Sequence, residues 1–182
     1  MKLIFQYLHK MRGGAPTPRH APLYEIFWSA LGCFFGILGI YVVGHLQELQ
    51  AEDSLFLVGS FGATAILIYG VPNSPYAQPR NLIGGHIFSA IVGVICAKFI
   101  PTLVIAAALA VTLAVVVMHL TRSIHPPGGA TALIAVIGGQ NIHQLGYWYV
   151  LTPIASGAIL MLIVALFINN LSSQRRYPSY WL

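Results

Sequence analysis

Apolar residues run along this chain in long blocks, broken by short polar interruptions. Tyr24 to Gly44, Leu82 to Ile100, Thr102 to Leu120 and Tyr147 to Ile168 carry hardly any charge. A helix that is apolar all round has no water-facing side, and about 20 such residues cross the hydrocarbon of a bilayer. The blocks therefore predict four long spans. Two further apolar stretches are shorter. Leu55 to Val71 lies near the lower limit of about 17 residues for a span, and Ala132 to Gly139 is shorter still. Between the blocks lie a Pro-rich linker (Gly13 to Pro22), a polar loop (His45 to Ser54), a loop with three prolines (Pro72 to Asn81), a break at Pro101 and a loop at Gln140 to Gly146. Ahead of the linker, Leu3, Ile4, Tyr7, Leu8 and Met11 fall at helical spacing. They fit either a short interfacial helix or a frayed basic tail.

Composition sharpens this picture. Of 182 residues 57% are hydrophobic and 7% charged, against about 25% charged in a soluble domain. Nine bases and four acids cannot coat a globule in water, so the net charge of +5 does not argue for nucleic acid. No Gly-rich run ends in Lys-Ser or Lys-Thr, so ATP-driven pumping within the chain is not expected. No cleavable signal is evident, because Leu3 to Leu8 is too short for an apolar signal core. Cys33 and Cys96 lie inside apolar runs and read as packed, reduced residues. The seven histidines lack paired ligand spacing, so no metal or cofactor is expected.

Small residues punctuate the first span at Ser29, Gly32, Gly36 and Gly39. Gly32 and Gly36 form a GxxxG pair that lets a neighbouring helix come close, within the chain for preference. Trp148 and Tyr149 at one end, and Tyr177, Tyr180 and Trp181 beyond the other, read as interface anchors. Gly62-Ala63-Thr64-Ala65 recurs as Gly129-Ala130-Thr131-Ala132, and both halves run long span, short Gly-containing segment, long span. This suggests an internal repeat of three plus three. Basic residues at the amino end and Arg175 and Arg176 at the other place both termini in the cytoplasm. Glu48, Glu52 and Asp53 fill the first loop. Six broken spans with inverted halves, or four spans with re-entrant segments and parallel halves, would satisfy that count; the first is slightly preferred.

Candidate chemistry concentrates at Ser123-Ile124-His125-Pro126-Pro127-Gly128-Gly129-Ala130-Thr131, with Arg122 just before it. Two prolines remove two backbone donors, two glycines allow close approach, and a helix start near Gly128 would offer free N–H groups. A helix start there points its positive end toward His125 and Arg122, which suits an anion. Ser60, Gly62, Ala63 and Thr64 would contribute likewise from the other half, with Ser60, Thr64 and Thr131 as hydroxyl donors. Pro126 and Pro127 could equally be a simple helix break. His125 could bond a carbonyl or carry a proton. Arg122 and His119 could be interface residues, but Arg122, next to the bend, is the better candidate for contact with the anion. Arg80, with Asn81, reads as a structural clamp on a proline-stiffened loop. His86 should make an inward polar contact.

The runs SIHPPGGATALIAVIGG (Ser123 to Gly139) and GSFGATAILIYGVPNSPYAQPRNLIGGH (Gly59 to His86) resemble the HPP family of integral membrane proteins, over roughly Ala21 to Leu171. The resemblance implies a small multi-spanning protein. Because members in chloroplasts and cyanobacteria are associated with nitrite transport, it implies a transport function here.

The fold expected is an all-α membrane protein, a bundle of four long transmembrane helices plus two short Gly/Pro-broken or re-entrant helices. Residues 1–22 form a basic segment and linker, 23–171 the transmembrane domain and 172–182 a cytoplasmic tail. Expected partners are the lipid bilayer, a small anion such as nitrite, and further copies of the chain in a homo-oligomer. The location expected is the cytoplasmic membrane if the chain is bacterial. The leading function is a small-anion channel or secondary transporter. An intramembrane enzyme lacks an acid near His125 to orient a base; a structural or regulatory membrane subunit is the other alternative.

Overall fold

The computed structural model describes residues 2–12, 14–17, 20–46 and 59–182. Glu48, Glu52 and Asp53 of the expected acidic loop, and Arg19, lie outside the described residues. Every regular element among the described residues is helical. They are α1 (Lys2–Lys10), α2 (Leu23–Leu46), α3 (Gly59–Gly70), α4 (Pro79–Phe99), α5 (Leu103–Leu120), α6 (Pro127–Ile137), α7 (Gln140–Leu145) and α8 (Val150–Leu171), with a single 3-10 turn at Pro75–Ala77 before α4. α2, α4, α5 and α8 are long and apolar enough to cross a membrane; α3 and α6 are shorter apolar helices. The expected four-plus-two pattern is therefore present. The amino-terminal stretch takes the helical form of its two readings. Gln140 to Gly146, expected as a loop, coils into α7 and ends at Gly146, whose φ of 52° suits glycine. The last span begins at Val150 with an irregular turn around Pro153, where Thr152 leaves helical geometry.

Contacts fix the sense of each helix. Glu25 at the start of α2 pairs with Arg175 just past α8, and Gly39 faces Leu160, so α2 and α8 are antiparallel. Ser29 of α2 donates to the Tyr69 carbonyl at the end of α3, so α3 runs against α2. α6 runs alongside α4 in the same direction, with Gly128 against Gly85 and Gly93 against Ala132. The senses of α2, α3, α4, α5, α6 and α8 therefore alternate, the order that six crossings require. The start of α2 and the end of α8 meet at one end of the bundle.

Two packing devices hold it. The GxxxG pair works within the chain, but its occupant is a side chain where a helix backbone was expected. The Tyr69 ring lies along Gly32 and Gly36, where added methyl groups would sit 2.5 and 2.7 Å from it. On the other side, Ala106, Ala110 and Ala114 line one face of α5 with Met118, against Cys96, Ala132 and Val136. Small residues every four positions let α5 approach closely, and dispersion then does what the hydrophobic effect cannot do in lipid. Cys33 packs against the other core cluster, with Tyr69 and Met161, and both cysteines are free. Phe27, Phe34, Ile105 and Val116 are exposed on the outer faces, as lipid-facing residues should be.

A helix that ends inside an apolar bundle leaves carbonyls that must be satisfied by protein. α3 solves this with side chains from distant elements. Asn169 donates to the Ile68 carbonyl at 3.0 Å, while Ser29 and Arg175 donate to that of Tyr69 at 2.9 and 3.2 Å. Arg175 also reaches Glu25, Ser29 and Asn169. Beyond it the tail folds over the loop before α4. The Tyr177 hydroxyl donates to the Ala77 carbonyl at 2.7 Å, the Ser179 amide to Gln78 at 2.8 Å, and the Tyr180 hydroxyl to the Pro75 carbonyl at 3.1 Å. Tyr177, expected as an interface anchor, is buried; Trp181 is exposed.

Candidate functional site

Inside the bundle, where α3, α4 and α6 meet, six polar side chains are removed from solvent. Ser60 and Thr64 stand one turn apart on α3, His86 and Ser89 on α4, Thr131 on α6, and His125 in the turn before it. Helical spacing of three or four residues is what puts each pair on one face. The first turn of α3 crosses that of α6: Ser60 Oγ is 2.7 Å from Thr131 Oγ1 and donates at 3.2 Å to the Pro127 carbonyl as an alternative. His86 Nδ1 lies 2.7 Å from Thr131 Oγ1, and His86 Nε2 lies 2.8 Å from Thr64 Oγ1. Thr64 Oγ1 is also 3.1 Å from His125 Nε2. His125 Nδ1 donates at 2.8 Å to the Tyr76 carbonyl.

Glycines make this crowding feasible. A methyl on Gly85 would collide with His125, and one on Gly128 would lie 2.7 Å from both the Gly85 carbonyl and Ser89 Oγ. The turn bearing His125 is clamped from α4. Arg80 donates to the Thr121 carbonyl at 2.9 Å and Asn81 to the Ile124 carbonyl at 2.7 Å. The Tyr149 hydroxyl donates to the Thr131 carbonyl at 3.0 Å, and the rings of Phe61 and His125 flank His86 with centroids 4.9 Å away. One donor is spare: Ser89 Oγ is buried and has no hydrogen-bond partner. Such an orphan costs about 1–3 kcal/mol, so its retention against the first turn of α6 is unusual for a purely structural position.

The family model described as HPP, transmembrane region, matches residues 18–178. This chain belongs to the HPP transmembrane family. It is 48% identical to one curated transmembrane protein of Dictyostelium discoideum across its whole length, and 45% identical to a second over 98% of it. It spans 59% and 64% of the length of those two relatives. No solved structure matches it.

The HPP chain brings together part of the set expected from sequence. Ser60, Thr64, His86, His125 and Thr131 converge. Arg80 and Asn81 are clamps, and Pro126 and Pro127 open α6. Arg122 stands apart, with an exposed side chain and a φ of 55° at the turn after α5. Gly62 has nothing within 4 Å of where a side chain would start, Ala63 is exposed, and Gly129 looks toward Val111 on α5; Ala130 is half-buried. The expected free amides at the start of α6 are already used: Gly128 N–H donates to the His125 carbonyl at 2.8 Å and Gly129 N–H to that of Pro126 at 3.0 Å. The tight turn set by the two prolines brings those carbonyls within reach, so the site presents hydroxyls and imidazoles in place of amides. Sequence reasoning missed Ser89 and Tyr149. Ser89 follows His86 by three residues on one helix face, a signal that was available. Tyr149 is fully buried, although its place beside exposed Trp148 suggests an interface anchor.

Proposed function

We propose that this HPP protein carries a small monovalent inorganic anion across a membrane, as a channel or secondary transporter, and that nitrite is the anion. The observation that supports it most is the sealed polar cluster of Ser60, Thr64, His86, Ser89, His125 and Thr131 where the first turns of two short helices cross. Polar groups inside a membrane bundle are expensive and mark substrate paths. Short interrupted helices meeting near mid-bundle are the usual setting for a transport site, with their positive ends toward an anionic group. In the arrangement described the cluster is closed on itself. Passage requires α3 and α6 to part, after which Ser60, Thr131 and Ser89 hydroxyls are available to the ion. Nitrite rests on the family resemblance alone; the cluster's chemistry fits any small monovalent anion. Both termini would face the cytoplasm, and a homo-oligomer would complete an enclosed path that so few helices leave thin.

The experiment is anion uptake by the purified full chain in proteoliposomes, with nitrite, nitrate and chloride offered separately. Uptake of nitrite above protein-free vesicles, with the others slower, supports the proposal. No uptake of any of the three refutes it.

A further inference from the structure

The partners in the buried cluster leave only one arrangement of protons that satisfies both imidazoles. A carbonyl oxygen can only accept, so His125 carries its proton on Nδ1, facing Tyr76. Neutral His125 then accepts at Nε2, and Thr64 must donate to it. The Thr64 oxygen in turn receives Nε2–H of His86. His86 accepts at Nδ1 from Thr131, whose oxygen can then only accept from Ser60, a hydroxyl it shares with the Pro127 carbonyl. Every hydrogen bond from Ser60 to Tyr76 therefore points the same way.

From this order we propose that the cluster is a directed proton relay, which loads a proton onto His125 for each anion carried; the proposal rests on the transport reading above. The step balances without moving any electron pair between heavy atoms. A proton added at Ser60 Oγ displaces that hydroxyl's own proton to Thr131, which passes its own to Nδ1 of His86. His86 releases Nε2–H to Thr64, and Thr64 passes its proton to Nε2 of His125. One proton has entered, each relay group is neutral again with its hydrogen bond reversed, and His125 is an imidazolium held by the Tyr76 carbonyl. That carbonyl cannot pass a proton on, so His125 stores it until α3 and α6 part. Nε2–H then passes to water that leaves with the anion, and rotation of the hydroxyls and of the His86 ring restores the starting order.

Charge explains why the store would be coupled to an anion. The groups around the two imidazoles are the Ser60, Phe61 and Thr64 side chains of α3, Thr131 of α6 and Met118 of α5, whose sulfur faces the His125 amide; the Tyr149 phenol, just before α8, holds the Thr131 carbonyl. Arg80 on α4 is given to the Thr121 carbonyl, and Arg122 is exposed. Glu25, the one acid among the described residues, is paired with Arg175 at the bundle end. No described carboxylate balances an imidazolium here, and an unpaired buried charge is strongly unfavourable. An anion beside Ser89 and Thr131 neutralises it, so each ion makes room for the other and the pair crosses without net charge.

The test uses the full chain in proteoliposomes with nitrite as probe and a pH dye trapped inside, protein-free vesicles correcting for passive entry of nitrous acid. The relay predicts one proton entering per nitrite and uptake that rises several-fold per unit of external acidification. Thr64→Ser should keep both and Thr64→Val should lose the proton movement. Nitrite uptake with no accompanying protons, or proton movement unchanged by Thr64→Val, overturns the relay and leaves the transport reading standing. No anion uptake at all overturns both. A second measurement does not depend on transport: nitrogen-15 resonances of the labelled full chain should show neutral His125 protonated at Nδ1 and His86 at Nε2. The reverse tautomer at His86 breaks the relay.

Discussion

Thr131 shows how much a single hydroxyl can decide. It receives Ser60, donates to His86, and its own carbonyl receives Tyr149. Thr131→Val keeps the shape and deletes the hydroxyl, which strands Nδ1 of His86 and leaves Ser60 with the Pro127 carbonyl alone. The expected cost is about 1–3 kcal/mol per stranded group, read as lower thermal stability in detergent, with Thr131→Ser near wild type. Glycines give a sharper contrast. A methyl on Gly93 would meet the Ala132 carbonyl at 2.5 Å and Ala135 at 2.8 Å, whereas one on Gly129 meets nothing nearer than 3.8 Å. Gly93→Ala should cost about 1–3 kcal/mol by overpacking, and Gly129→Ala should change stability by less than about 0.5 kcal/mol, both measured by unfolding in detergent. That ordering could not be read from the sequence, where Gly129 sits in the signature run and Gly93 is one glycine among many.

At the scale of the element, α3 depends on groups far from it in sequence. Its terminal carbonyls are held by Asn169, Ser29 and Arg175, and the Arg175 guanidinium also holds Glu25. Arg175→Gln should therefore destabilise the whole bundle by about 3 kcal/mol, the cost of leaving a shielded partner uncompensated, and the loss should appear as a lower unfolding temperature. The long helices were legible because an unbroken apolar run of about 20 residues has few alternatives. α3 and α6 were legible as short apolar segments, and Thr64 and Thr131 were found through the shared Gly-Ala-Thr-Ala. What stayed hidden depends on partners in three dimensions. Arg175 reads as a topological charge on a tail, yet it is 8% exposed and bonded to three elements. Arg122 reads as the better anion ligand, yet a left-handed turn leaves it outside the cluster.

The molecule as a whole brings the start of α2 and the end of α8 to one face, because Arg175 joins them and the tail covers the loop before α4. This fixes relative sidedness. In a chain whose Cys33 and Cys96 are replaced by alanine, cysteines placed at Ala15 and at Ser173 should react with a membrane-impermeant reagent from the same side of sealed vesicles. Reaction from opposite sides would contradict the alternating order of helices. The same order places the crossing of α3 and α6 inside the bundle, with the tail and its loop closing one approach to it. The central claim is that this crossing is the route of an anion. Uptake of nitrite by the reconstituted full chain, compared with folded Thr131→Val and Thr131→Ser, tests it most directly. The account predicts saturable uptake in the wild-type chain, a fall of about tenfold or more in Thr131→Val, the rate equivalent of one lost buried hydrogen bond, and recovery in Thr131→Ser. Uptake no faster than in protein-free vesicles, or equal in all three chains, would contradict it.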